Sequence, residues 1–363
     1  MNTGGAGNKQ LERIRELVLE YGCNSTSFQI VNPGIDHWFS SRGDAVAGLV
    51  KRHGVFVVAG APVCPSPRLE EVCSELEQYG KREGSRVFYF GAEERLEAIY
   101  REDRGHSKMV LGAQPVWRPA SWPKMLEGNA SLRAQLNRAR NKSVFVSEWP
   151  YERANGSQEL RRCLNEWLST RGLPPLQFLV EPDTLNSLCG RRIFVAERDG
   201  SVAGFMVASP VPCRHGWLVE QAVRGKNAPN GCIELLLDYA VRAMDQSGYQ
   251  YVTLGLSPLS KHVEPASDNS PLWLRLALAW IRAHGKRFYN FQGLDAFKSK
   301  FRPERWEAIY GVVNEQSVSP LTLYSVASAF SGGSPIVMIA RGMAKALRSE
   351  IGWAMGENTN FEF

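Results

Sequence analysis

Apolar residues near the start of the chain recur at helical spacing. Leu11, Ile14, Leu17, Val18 and Tyr21 share one face, and Gly22 follows as a stop. The period then shortens. Residues 27–30 and 38–40 read as short strands, 45–50 is an apolar run, and 55–60 is a buried strand leading into Gly60-Ala61-Pro62. Leu69, Val72, Leu76 and Tyr79 mark a helix over 69–80, and a strand follows at 86–90.

The second part repeats this order. An Arg-rich helix is predicted over 126–141, a strand over 143–147 and a helix over 158–170. Strands 192–198 and 201–209 flank the turn Asp199-Gly200, a hairpin signal. Next come a strand at 216–223, a helix at 232–247, a strand at 251–256, a helix at 271–284 and an apolar segment at 288–291. Strands alternating with helices predict an α/β fold with mixed sheets flanked by helices. No repeat of solenoid length occurs. The shared order predicts two similar domains, 1–145 and 146–318, followed by a helical extension over 319–363.

Composition narrows this reading only a little. A chain of 363 residues with 44% hydrophobic and 22% charged content is ordinary for a globular protein of one large or two smaller domains. The net charge of +6 permits an anionic partner without demanding one. The cysteines number 7, without a Cys-x-x-Cys pair, and predict scattered thiols in a reducing compartment. The histidines are dispersed, so no metal is expected. With no signal core at the N-terminus and no long apolar run, a cytoplasmic location is expected.

Two segments carry candidate chemistry. The strand at 216–223 runs through Arg224-Gly-Lys-Asn-Ala-Pro-Asn-Gly231 into a helix. Free N–H groups at that helix start, with Arg224 and Lys226, would suit an anion. A plain strand-to-helix connection is the alternative. Asn230 and Gly231 would shape the loop, cap the helix or bind through backbone N–H groups. The second segment is 288–306, where aromatics flank Lys298 and Lys300 and lead to Pro303-Glu-Arg-Trp306. It reads as a wall presenting fixed cations that hold a phosphate, or as two solvated lysines. Ser257, at a strand end before Pro258, either binds substrate or forms the turn. Glu304 reads the same way, as a site carboxylate or a solvated turn residue. No Ser/His/Asp triad or activated cysteine stands out, which favours direct transfer over a covalent intermediate. Arg133, Arg138, Arg140 and Lys142 cluster on one predicted helix. They are either a solvated face or contacts for an RNA backbone.

The strand, loop and helix at 216–247 resemble the core of the GNAT acyltransferase fold. Ala228-Pro-Asn-Gly231, Thr253-Leu-Gly-Leu-Ser-Pro-Leu-Ser260 and Tyr289-Asn-Phe-Gln-Gly-Leu-Asp-Ala-Phe-Lys-Ser-Lys-Phe301 look like the C-terminal catalytic domain of phosphatidylglycerol lysyltransferases and alanyltransferases. Tyr21-Gly-Cys-Asn-Ser25, the stretches 55–62 and 86–90, and Leu132-Arg-Ala-Gln-Leu-Asn-Arg138 agree, so the likeness spans roughly 11–313. It departs from the family pattern at Ala61, where an acid is usual, and between Pro303 and Tyr310, where a residue is added and an arginine is missing.

The resemblance implies a tandem GNAT-like fold and transfer of an aminoacyl group from aminoacyl-tRNA to a phospholipid hydroxyl or another amphipathic acceptor. An acyl-CoA-dependent N- or O-acyltransferase is the alternative, and a non-catalytic lipid- or RNA-binding module a further one. No cofactor is expected, since the charged tRNA would be a co-substrate. Glu220 lies on the strand that often supplies the base in GNAT enzymes, or else forms a salt bridge with Arg224. Glu220, Lys298 and Lys300 are therefore the catalytic candidates. Arg224, Asn230, Gly231, Gly255, Ser257, Gly293, Glu304 and Tyr310 are the substrate-binding candidates. Arg133, Arg138, Arg140 and Lys142 would face tRNA. A helix predicted over 335–355, after the hinge Ser331-Gly-Gly-Ser-Pro335, is amphipathic. It either docks on the core or makes a peripheral membrane contact. The sequence leaves the oligomeric state open.

Overall fold

In the computed structural model, residues 3–103, 105–170, 177–263 and 291–331 are described. The predicted helix at 271–284, residues 288–290 and the amphipathic tail helix lie outside them.

The first half opens with α1 (Thr3–Tyr21), which buries Ile14, Leu17 and Val18. Residues 27–30 are not a strand. Ser27–Val31 form a fully buried 3-10 helix, whose backbone bonds close locally instead of joining a ladder. Strands β1 (Asp36–Phe39), β2 (Val46–Arg52) and β3 (Val55–Ala59) run antiparallel. Helix α2 (Leu69–Arg82) crosses over to β4 (Arg86–Ala92), which lies parallel to β3. Leu69, Val72, Cys73 and Leu76 give α2 its buried stripe. Glu70 and Glu71 in its first turn and Lys81 and Arg82 in its last complement the helix dipole. After α3 (Glu94–Ile99) comes β5 (Ser107–Trp117).

The second half repeats this plan. The helix predicted over 126–141 is two helices, α4 (Trp122–Glu127) and α5 (Ala130–Arg140). Gly128 ends the first, and the Asn129 side chain caps the second by accepting from the Leu132 amide. Strand β6 (Val144–Trp149), helices α6 (Tyr151–Ala154) and α7 (Gln158–Ser169), and strands β7 (Arg192–Arg198), β8 (Ser201–Val211) and β9 (Gly216–Arg224) follow. Helix α8 (Cys232–Gln246) then crosses over to β10 (Tyr251–Thr253), parallel to β9. Short β11 (Ser257–Pro258), α9 (Phe291–Ser299), β12 (Arg305–Val313) and α10 (Pro320–Ser331) complete the described elements.

All strands join one sheet, in the order β1-β2-β3-β4-β12-β5-β10-β9-β8-β7-β6, with β11 beside β5. Its centre is an exchange. Strand β5 follows β4 in the chain but pairs with β10. Strand β12 follows β10 but pairs with β4, and also with β5 along its whole length. Each half thus lends its last strand to the other. Neither central strand is evident from hydrophobic period, because Gly112 and Pro115 interrupt β5 and bulges shift the register of β12.

The sheet is covered on both faces. One cluster packs α8, α5 and α4 on the second half and a smaller one packs α7 on its reverse. The first half carries α2 on one face and the 3-10 helix with α1 and α10 on the other. Charged groups also join the halves. Arg214, beyond β8, bonds Glu93 at 2.7 Å and Glu307 of β12 at 2.6 Å. Burial raises the Glu93 pKa, with Arg214 opposing it.

Two cysteines expected as free thiols are paired. Cys23 and Cys213 form a disulfide that spans 190 residues of sequence. The fold brings their Cα atoms to 4.8 Å, a closeness invisible in the spacing of the sequence.

Candidate active site

Strands β9 and β10 pair only from Gly216↔Tyr251 to Leu218↔Thr253. Beyond that point β10 ends at Thr253 while β9 continues to Arg224, so the sheet is open on that side of β9. The register against β8 slips here as well. Ala208 opposes Val219 and Val207 opposes Gln221, so Glu220 is the extra residue of a β-bulge. Val219 and Ala222 consequently face the α8 core, while Glu220 and Gln221 both turn to the opposite face.

Glu220 is not paired with Arg224. It forms an ion pair with Arg191 and accepts from Gln29 Nε2 at 2.9 Å. Arg191 also donates to Asn32 Oδ1 at 2.7 Å. Gln29 Oε1 and Asn32 Nδ2 are buried beside this pair with no partner.

The loop after β9 is clasped internally. Arg224 donates to Ala228 O at 3.1 Å and to Asn230 Oδ1 at 2.9 Å, so its guanidinium braces the turn; Lys226 is exposed. Gly231 begins α8 at φ 93°, and the Gln135 carbonyl of α5 lies where a side chain would stand. Helix α5 thus covers the start of α8, the place expected to cradle an anion.

Lys298 and Lys300 do not present paired cations. They lie at the end of a helix, where residues two apart point to different sides. Lys298 is 4% exposed and donates to the carbonyls of Gly255 at 2.8 Å and Leu256 at 2.9 Å. This bond holds the loop between β10 and β11 in place, with Gly255 at φ 67°. Burial pushes the Lys298 ammonium down to about 7, with Asp295 opposing. Lys300 instead pairs with Glu234 in the first turn of α8, over the Phe297 and Phe301 rings. It lines a cleft of about 220 Å³ with Ser299, Arg302, Asn129, Ser131 and Gln135.

The other candidates are spread out. Gly293 is on α9. Ser257 is fully buried, and its Oγ has no partner. Glu304 accepts from the Arg118 amide at 3.1 Å and from Arg118 Nε at 2.8 Å. Burial raises its pKa, but bonds from Ser121 and Arg118 outweigh this and leave it lowered. Tyr310 packs against the α2 core of the first half, away from α9. Of the α5 cations, Arg133 closes the end of α4 through the Leu126 and Glu127 carbonyls, and Arg140 pairs with Asp238 at 3.1 Å. Arg138 and Lys142 are exposed.

Sequence reasoning passed over His262 and Asp295. The His262 ring stacks on Trp306 at 4.1 Å and 9°. Its Nε2 lies 3.0 Å from Ser299 Oγ and 3.3 Å from Asp295 Oδ2. Asp295 falls inside the segment singled out for its lysines, but His262 lies outside it, and only the fold joins them. No cluster of metal-binding type occurs among the described residues. No described helix is long and apolar enough to cross a membrane.

Comparison with known proteins agrees with this architecture. The family model "Phosphatidylglycerol lysyltransferase, C-terminal" matches residues 15–313. The phosphatidylglycerol lysyltransferase of Bacillus subtilis is 23% identical over 318 residues, covering 87% of this chain and 36% of that protein. Its counterpart from Staphylococcus haemolyticus is 21% identical over 323 residues, covering 85% and 36%. The chain thus spans about a third of the length of these relatives. The solved structure of L-PGS from Bacillus licheniformis superposes with a TM-score of 0.73 at 22% identity, covering 91% of this chain and 97% of that one. The chain belongs to the phosphatidylglycerol lysyltransferase C-terminal family.

Proposed function

We propose that this chain transfers an aminoacyl group from aminoacyl-tRNA to a hydroxyl of phosphatidylglycerol or a closely similar amphipathic acceptor. The observation that carries the reading is the family match over 15–313, on a sheet that opens between β9 and β10. Transfer of this kind needs an ester carbonyl and an acceptor hydroxyl brought together from two sides. The gap offers two sides. On one, α5 and the end of α9 frame the polar cleft that holds Lys300 and Arg302, suited to the phosphates of a tRNA end. On the other stands the Glu220–Arg191 pair. Lys298 acts by fixing the 255–256 carbonyls at the rim of the gap. Arg138 and Lys142 extend the cationic surface along α5. The bracing of Arg224 and the cover over α8 disfavour a coenzyme A pyrophosphate at the loop.

The test is direct. Purified chain, phosphatidylglycerol vesicles and a panel of radiolabelled aminoacyl-tRNAs should yield a labelled lipid on thin-layer chromatography. No lipid product with any charged tRNA, alongside turnover of an acyl-CoA, would replace this reading with the coenzyme A one.

A further inference from the structure

The transfer needs a base for the acceptor hydroxyl, and Glu220 is poorly placed to be one. Its carboxylate is held by Arg191 and Gln29. Lys298 is equally committed, to two carbonyls. From the geometry around α9, we infer that His262 is the proton acceptor and that Asp295 positions it. This inference rests on the proposed reaction.

Three contacts fix the imidazole. Its plane is set by the Trp306 stack, its Nε2 edge by Asp295 and Ser299, and its backbone by a bond from the His262 amide to Ser260 Oγ at 3.3 Å. With the Nε2 proton given to the Asp295 carboxylate, the tautomer is determined. Nδ1 then carries a free lone pair, and it has no partner among the described residues. A carboxylate that orients an imidazole whose other nitrogen is open is the arrangement general-base catalysis requires. Asp295 Oδ1 is buried without a partner, so its charge is directed at the imidazole and at Lys298. Charged groups on the neighbouring elements are Asp295 and Lys298 on α9, Lys300 just beyond it, and Arg305 and Glu307 on β12. Of these, only Asp295 lies within ion-pair distance of the ring.

The position also fits. His262 touches Ser299, the neighbour of Lys298, which grips the carbonyls where β10 leaves β9. In the transfer, the acceptor oxygen attacks the ester carbonyl carbon while its proton passes to Nδ1. Collapse of the tetrahedral species breaks the ester bond to the terminal ribose, and that ribose oxygen takes the proton back from the imidazolium. No other reactant is consumed.

The experiment uses the full chain with phosphatidylglycerol vesicles and whichever aminoacyl-tRNA of the panel gives a labelled lipid. His262→Asn should lower kcat by about 100-fold or more with little change in KM, and added imidazole should restore part of it. Asp295→Asn should lower kcat with little change in KM, and by less than His262→Asn. A His262→Asn variant with wild-type kcat and pH profile would overturn the proposal. A second readout is independent of turnover. In nitrogen-15 spectra of the His262 ring, the wild type should show a protonated Nε2 and a bare Nδ1, and Asp295→Asn should disturb that tautomer; a wild-type ring protonated at Nδ1 would also overturn it. If the wild-type chain transfers nothing, the reading of the reaction fails, and the ring spectrum still decides whether the dyad exists.

Discussion

Glu220 and Arg191 form an ion pair from which water is almost excluded, the side chains being 8% and 0% exposed. The bulge in β9 creates it by turning Glu220 away from α8. Removing one charge strands the other. Glu220→Gln should destabilise the fold by about 3–5 kcal/mol, whereas Arg191→Met with Glu220→Leu should recover much of that loss. Denaturant midpoints of the wild type and the two variants check this, and equal midpoints for the single and double variants would count against it.

Lys298 makes stability depend on pH. Its pKa falls from 10.5 unfolded to about 7 folded because burial penalises the ammonium. Between these values the unfolded chain binds more protons than the folded one, so stability rises with pH across that window. Below pH 7 both states are protonated and the penalty is complete. One pKa unit is about 1.4 kcal/mol, so the change sums to a few kcal/mol. Lys298→Met should flatten the profile above pH 7. Thermal melts of both proteins between pH 6 and 10 measure the difference.

The cations of α5 should separate into two kinds. Arg138→Ala and Lys142→Ala should each weaken binding of charged tRNA and reduce the log-log salt slope by about 1. Arg133→Ala should leave that slope unchanged and cost about 1 kcal/mol of stability, because its guanidinium closes α4. Filter binding across a salt series tells the two apart. A uniform effect of all three would mean that Arg133 also contacts RNA.

The disulfide ties the end of α1 to the turn before β9. A cross-link closing so long a loop contributes up to about 5 kcal/mol in the chain-entropy description. Reductant should therefore lower the melting temperature of the wild type and leave Cys213→Ser unaffected. Among the described free cysteines only Cys189 is exposed, and burial pushes the Cys64 thiol up to about 11. In the oxidised native protein, Cys189 should thus react with a thiol reagent well before the others.

The outer strands and the crossovers were legible in the sequence. Strand β7 runs over the predicted 192–198, the Asp199-Gly200 turn has both residues at positive φ, and α8 starts where Gly231 signals it. What could not be read depends on contacts between distant segments. Glu220 meets Arg191 and Gln29 only because a bulge reorients it, and Lys298 meets carbonyls 42 and 43 residues away. Local pattern also misled at residues 27–30, where Ser27-Phe28-Gln29-Ile30 alternates like a strand but is buried throughout and closes its backbone bonds locally. His262 drew no attention because a lone histidine has no signature until a carboxylate and an indole surround it.

The exchange of β5 and β12 fixes the order in which the molecule can be finished. During synthesis the β4 edge that awaits β12, and one edge of β5, stay bare until residue 313 has left the ribosome. The first half therefore cannot complete its sheet while the second is being made. The chain closes like a zip whose last teeth are at its middle, and a nascent fragment stopped anywhere before β12 would carry sticky open edges.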